Sequence, residues 1–311
     1  MTSTPNDPAM AGRPVGVIGL GAMGSGMAGS LRRAGCEVHV CDARDGVAAA
    51  FAAQGGSAWN TPAELASHCE VVISVVVNAA QTEAVLFGSG GSGEGAAAAL
   101  RPGSVFVMCS TVDPNVSIAF ERRLEAMGRL YVDAPISGGA ARAASGEMTV
   151  MGAARDVAWA KVEPFLNAMA GKVYRLGDRA GNGSKVKIIN QLLAGVHIAA
   201  AAEAMALGLR EGVDAAELYE VITHSAGNSW MFENRMAHVL KGDYTPLSAV
   251  DIFVKDLGLV LDTARATKFP LPLASTAHQM FMQASTAGFA KEDDSAVIKI
   301  FPGIELPGTK R

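Results

Sequence analysis

The stretch from Val15 to Asp42 constrains this chain more than any other. It opens with an apolar run, Val15 to Ile18, of strand length and strand composition. Gly19, Gly21 and Gly24 follow at G-x-G-x-x-G spacing, an apolar-periodic helix runs to Gly35, and a β-rich run, Glu37 to Cys41, ends in Asp42. Each part has a use in holding a dinucleotide. Gly19 permits a tight turn, Gly21 lets backbone approach a pyrophosphate, and Gly24 lets the helix pack on the strand. The helix start offers unpaired N–H groups and a positive dipole end to the phosphates. The expected cofactor contact is therefore the whole turn, Gly19-Leu20-Gly21-Ala22-Met23-Gly24. Asp42 can accept hydrogen bonds from the ribose hydroxyls and would repel a 2′-phosphate, which favours NAD over NADP. Arg44, two residues on, weighs the other way. The glycines alone would also fit a tight turn with no ligand; the order strand, glycines, helix, strand, acid supports the dinucleotide.

The alternation continues down the chain. Helices are expected over Gly46–Gln54, from Pro62 behind a Thr61–Glu64 capping box, over Asn78–Phe87 and over Asp113–Met127. Strands are expected at Val71–Val77, Ser104–Met108 and Leu130–Asp133, with a glycine-serine loop at Gly88–Gly95. Short connections between alternating strands and helices predict an α/β fold, a Rossmann-type doubly wound parallel sheet. Cofactors bind beyond the carboxyl ends of such strands, which adds Val76, Val77, Asn78, Ser110 and Thr111 to the candidates. A glycine-bounded segment follows, then a strand at Met148–Met151, a helix over Val157–Met169 and a strand near Val173–Arg175. From Gly183 onward the pattern is helical only, beginning with a long apolar helix, Ser184–Arg210. The expected organisation is a loose leader over residues 1–13, a dinucleotide-binding domain over 14–180 and an all-helical substrate and oligomerisation domain over 181–311.

Composition narrows the function classes. Of 311 residues half are hydrophobic and 18% charged, enough for large cores. A net charge of −4 offers no basic footprint for nucleic acid or an anionic membrane. Cys36, Cys41, Cys69 and Cys109 lack metal-ligand spacing, so no metal is expected and the thiols read as reduced, in a cytoplasmic protein. Ile188–Ala202 is too short for a membrane span and carries Asn190, Gln191 and His197, which makes it a buried core helix with His197 packed in it.

The long helix holds the second informative group. Lys187, Asn190 and Gln191 share one face, and Lys185 lies nearly opposite, as a surface charge. One reading is a helix end whose polar residues meet solvent at a domain junction. The other is chemical: a lysine that accepts an alcohol proton while hydride leaves the same carbon, beside amides that orient a carboxylate or hydroxyl.

Four blocks, Gly19–Gly24, Asp133–Gly139 with Gly146–Thr149, Gly181–Asn190 and Lys255–Leu257, together resemble the β-hydroxyacid dehydrogenase family. The resemblance spans most of the chain and implies a Rossmann domain followed by a helical one. It implies that Lys187 is the catalytic general acid–base. Ser137, Gly138 and Gly139 become the loop that binds the substrate carboxylate, where backbone N–H groups can form an anion nest. Asn190 and Gln191 become substrate contacts, Asp256 a substrate contact at the rim of the site, and Thr111 and Lys255 cofactor contacts. Family members usually carry Asn-Asn where this chain has Asn190-Gln191, so substrate shape or reach should differ. Like-charge repulsion from Lys255 would lower the pKa of Lys187 if the two ammonium groups approached.

Gly227–Arg235, Gln191–Ile198 and Ala249–Asp256 resemble those members that act on four-carbon sugar acids. Trp230, Met231 and Phe232 read as core or interface, whereas Asn228, Ser229 and Arg235 are candidates for meeting a polyhydroxylated acid. The expectation is NAD-dependent oxidation of a short hydroxylated carboxylic acid by a homodimer or homotetramer. Another hydroxyacid handled by the same residues, or a non-catalytic nucleotide-binding scaffold, are the rivals. The presence of Lys187 argues against the scaffold.

Overall fold

The computed structural model describes residues 10–89 and 95–308, in two compact units, Met1–Lys187 and Ile188–Arg311. The first unit is built on six parallel strands. In chain order they and their helices are β1 (Pro14–Ile18), α1 (Gly24–Arg33), β2 (Glu37–Cys41), α2 (Val47–Ala52), β3 (Ser57–Ala58), α3 (Pro62–His68), β4 (Val71–Ser74), α4 (Ala79–Phe87), α5 (Ala96–Ala99), β5 (Val105–Met108), α6 (Pro114–Ala126) and β6 (Leu130–Asp133). The strand order is β3-β2-β1-β4-β5-β6, all neighbours parallel. The chain thus reverses its direction of travel between β1 and β4, and a crevice opens at the carboxyl ends of those two strands.

Local chemistry fixes the helix starts. Thr61 and Glu64 form the expected reciprocal cap on α3. Asn78 caps α4 and Asp113 caps α6, whose first residue is Pro114. Each such cap contributes about 1 kcal/mol. The β-branched runs of β4 and β5 are buried throughout, as strands covered by helices on both faces must be. Residues 90–94 of the glycine-serine loop lie outside the described residues, as do residues 1–9 of the leader. Met10 to Arg13, read as the end of a loose leader, are instead packed down. Met10 is buried, Gly12 N–H donates to Gly35 O at 2.9 Å, and the Arg13 guanidinium lies over the Phe165 ring.

The rest of the first unit contains the strands and helix expected over Met148–Met151, Val157–Met169 and Val173–Arg175, but the strands belong to a second sheet, apart from the first. It consists of β7 (Ile136–Ser137), α7 (Gly139–Ser145), β8 (Met148–Gly152), α8 (Asp156–Met169) and β9 (Ala170–Arg175), with strand order β7-β8-β9 and the first pair antiparallel. All four cysteines are buried and unbridged, and burial pushes their thiols up, to about 11 for Cys36 and Cys41 and about 12 for Cys69 and Cys109.

Helix α9 (Asn182–Arg210) contains the point at which the two compact units divide. The compact units divide after Lys187, because the first turn of α9 is hydrogen-bonded to Asp133 of the first unit. At 29 residues α9 is long and apolar enough to cross a membrane by length and composition, contrary to the shorter span read from sequence. Its Ile198, Ala202 and Met205 are nevertheless fully buried in the core of the helical unit, the packing of a core helix. His197 is exposed, not packed. The helical unit continues with α10 (Ala215–Thr223), α11 (Trp230–Lys241), α12 (Val250–Ala266), α13 (Pro272–Ala284) and a closing 3₁₀ segment, Asp294–Ile300.

Candidate active site

The glycine turn has the geometry its spacing predicts. Gly19 has φ +91°, and a Cβ there would come within 2.8 Å of Val75 O. A Cβ on Gly24 would meet Gly19 O at 1.8 Å, so the amino end of α1 packs directly on the turn. Gly21 differs, because a Cβ there would meet nothing within 4 Å. Internal packing therefore does not require Gly21, whereas an approaching pyrophosphate would. The turn fits a dinucleotide on this observation.

Asp42 closes the turn at the tip of β2. Its carboxylate accepts from Leu20 N–H at 2.6 Å and from the Arg44 backbone N–H at 2.9 Å. The Arg44 guanidinium adds a two-pronged contact, Nε at 2.9 Å and Nη2 at 3.0 Å. These hydrogen bonds, Arg44 foremost, hold the Asp42 carboxyl down to about 2. Arg44 is thus occupied by the carboxylate that excludes a 2′-phosphate. In Asp42→Asn the anion is removed and Arg44 is released toward that phosphate. The ratio of kcat/KM with NADP to that with NAD should rise roughly ten- to a hundredfold, the worth of charged hydrogen bonds. A wild-type preference for NADP would overturn this account of the turn.

Two hydroxyls tie together the loops that flank the crevice. Ser110 Oγ donates to Val76 O at 2.7 Å and lies 2.9 Å from Thr82 Oγ1. Val77 N–H donates to Gln81 Oε1 at 2.8 Å. The loop after β4 and the loop after β5 are therefore joined beside the glycine turn, with Thr111 next in sequence and half-buried. Sequence reasoning misses Thr82, whose signal is only a hydroxyl on the first turn of α4.

At the end of β6, Asp133 performs a task the sequence does not announce. It is fully buried, and its carboxylate accepts from Gly181 N–H at 2.8 Å, Ser184 N–H at 2.9 Å and Ser184 Oγ at 2.7 Å. Glu121 accepts from Ala180 N–H at 3.3 Å. These bonds satisfy the orphan donors at the amino end of α9, and a carboxylate there is favoured by the helix dipole. Burial pushes the Asp133 carboxyl up while those donors pull it down. Further along α9, Lys187 is 7% exposed and Lys185 is exposed, as their opposite phases predict. In the same unit, Ser137 ends β7, and Gly138 and Gly139 follow with φ +136° and +76°. No L side chain adopts that pair readily, so the loop's conformation depends on both glycines.

In the helical unit Asn190 Nδ2 donates to Gln191 Oε1 at 3.0 Å, and Gln191 Nε2 donates to Asp256 Oδ2 at 2.5 Å. Lys255 Nζ lies 2.6 Å from Asp256 Oδ1. The charge invoked to lower the pKa of Lys187 is therefore balanced by Asp256. Asn228, Ser229 and Arg235, expected to meet a polyhydroxylated acid, have structural partners. Asn228 donates to Thr223 O at 3.1 Å, Ser229 caps α11, and Arg235 forms a buried two-pronged pair with Asp294. Phe232 is buried in the core and Trp230 is 47% exposed.

Residues 14–177 match the family described as the NAD binding domain of 6-phosphogluconate dehydrogenase. Residues 181–301 match that described as the NAD-binding of NADP-dependent 3-hydroxyisobutyrate dehydrogenase. The chain is 68% identical over 296 residues to a protein named L-threonate dehydrogenase from Cupriavidus necator, covering 95% of this chain and 98% of that one. It is 53% identical to the protein of that name from Escherichia coli K12, covering 95% and 97%. The crystal structure of a protein named 3-hydroxyisobutyrate dehydrogenase from Salmonella typhimurium superposes with a TM-score of 0.88 at 53% identity, over 93% of this chain and 100% of that one.

Proposed function

The chain belongs to the β-hydroxyacid dehydrogenase family, and from that premise we propose that it oxidises L-threonate to the 2-oxo acid with NAD. The substrate reading is carried by the near-full-length identity to relatives named for L-threonate. NAD, when bound, accepts the hydride from the alcohol carbon. The chain's own residues supply the rest. Gly19 to Gly24, Asp42, Val76, Val77, Thr111 and Lys255 hold the cofactor. Ser137, Gly138 and Gly139 hold the carboxylate through backbone N–H groups, and Asn190 meets a hydroxyl. Lys187, as the neutral amine, takes the hydroxyl proton as the C–H bond breaks and returns it in the reverse direction. Asp133 supports that role, because it fixes the amino end of the helix on which Lys187 stands.

The dinucleotide-binding domain is assigned to residues 14–180 and the substrate and oligomerisation domain to 181–311. A homodimer or homotetramer is supported by the outer face of α9, where Ile189, Leu193 and Leu207 are each at least half exposed. Four buried free thiols suit a cytoplasmic location.

Initial rates with a panel of three- to five-carbon hydroxyacids, each with NAD and with NADP, test the substrate. L-threonate with NAD is expected to give the highest kcat/KM. A site built to bond several hydroxyls leaves polar groups unpaired when they are missing, so 3-hydroxyisobutyrate should be rejected. The Salmonella protein is named for 3-hydroxyisobutyrate, which makes that acid the second reading. Equal turnover of the two acids would remove L-threonate as the particular substrate and leave the family assignment standing.

A further inference from the structure

The polar chain Asn190, Gln191, Asp256, Lys255 has a direction, and the direction follows from one residue. The carboxylate of Asp256 has no proton to give, so a neighbouring amide must turn its NH₂ toward it. Gln191 does so, with Nε2 on Asp256 Oδ2 at 2.5 Å. Its Oε1 then faces Asn190, and Asn190 must in turn present Nδ2, at 3.0 Å. With Nδ2 turned toward Gln191, the carbonyl oxygen of Asn190 is turned to the other side, where it can accept. Asp256 is 2% exposed, which keeps water from substituting for Gln191, and Lys255 engages its other oxygen. The approach of α12 to α9 that lets Gln191 reach Asp256 depends on Gly195, one turn further along. A Cβ there would lie within 3.0 Å of three side-chain carbons of Leu257.

We propose that Asp256 and Gln191 are positioning residues that fix which way round the Asn190 amide faces, so that Asn190 accepts a hydrogen bond from a substrate hydroxyl. This rests on the reading above that Asn190 meets the acid, and it replaces direct substrate contact as the role of Asp256 and Gln191. Discrimination follows from the polarity. An acid with a hydroxyl at that position donates to Asn190 Oδ1, whereas one with a methyl leaves the oxygen unpaired.

Exchanging the two groups tests the relay. In Asp256→Asn the new amide can donate to Gln191, both amides downstream can turn over, and Asn190 can present N–H. In Gln191→Glu two carboxylates face each other. In the double variant a carboxylate at 191 accepts from the amide at 256 and from Asn190 Nδ2, and the original direction returns. Each single variant of the full-length chain should melt several degrees lower and lose roughly tenfold or more of the preference for L-threonate over 3-hydroxyisobutyrate. The double variant should recover both, to within about threefold in the preference. A double variant no better than the worse single in either measurement overturns the proposal. So does recovery of the melting temperature without recovery of the preference, because the relay would then exist without being read by the acid. Failure of the wild type to oxidise any hydroxyacid of the panel would instead sink the functional reading, and the melting temperatures would still judge the relay.

Discussion

Replacing Lys187 with Ala should lower kcat by roughly two to four orders of magnitude, the usual contribution of a positioned general base. NAD affinity should change little, because Gly19 to Gly24 and Asp42 draw their geometry from β1, β2 and the loop after β4. Lys185→Ala is the matched control. Its side chain is exposed on the other side of α9, and the variant should keep most of its activity. The pH profile of oxidation should show one group that must be deprotonated, and that limb should vanish in the Lys187 variant. Near-wild-type turnover in Lys187→Ala would move proton transfer to another residue. A wild-type chain that turned over no hydroxyacid would instead revive the scaffold reading.

The second large effect lies away from the chemistry. Arg235 and Asp294 are 7% and 0% exposed, and guanidinium and carboxylate meet through two hydrogen bonds. Burial pushes the Asp294 carboxyl up to about 7, against the lowering pull of Arg235. Arg235→Ala removes that pull, and the carboxyl rises further. A carboxyl raised in the folded state favours folding while protonated, below its unfolded value near 4. That contribution is lost as pH rises through the folded value. The variant should therefore lose about 3–5 kcal/mol at pH 8.5, the cost of an unpaired buried charge, and distinctly less at pH 5.5. Chemical denaturation at the two pH values checks this. Replacing both residues with apolar ones of similar volume should be milder than either single change, since no lone charge is left behind.

What sequence reading captured and what it missed separate by range. Thr61 with Glu64, Asp113 with Pro114 and Gly19 with Gly24 act over a few residues, and each stands where spacing put it. β2 and β6 match their expected bounds because strand-length apolar runs in a doubly wound fold have one available use. β8, α8 and β9 lie close to their expected bounds, but β7 and α7 escaped, and with them the separateness of the second sheet, because β7 is two residues long and α7 is built of Gly, Ala, Ser and one Arg, too small a set for periodicity to register. The polar partnerships escaped for a different reason. Asp133 meets Ser184 across 51 positions, Gln191 meets Asp256 across 65, and Arg235 meets Asp294 across 59. Nothing local distinguishes a carboxylate that caps a distant helix from one that meets solvent. That is why Arg235 looked like a substrate contact, and why the direction of the Asn190 amide could be read only after folding.

The four sequestered thiols also make this protein a blank background for chemical labelling. With every thiol buried and its proton held at about 11 or 12, the native chain presents almost no thiolate to an alkylating reagent at neutral pH. Modification of the unaltered chain must therefore wait for the first unit to open, and its rate serves as a clock for that opening. One cysteine introduced on the exposed side of α9, at Lys185 for example, would be the sole fast-reacting position. A fluorophore could then be placed beside the helix that carries Lys187 without first stripping the natural sulfurs from the core.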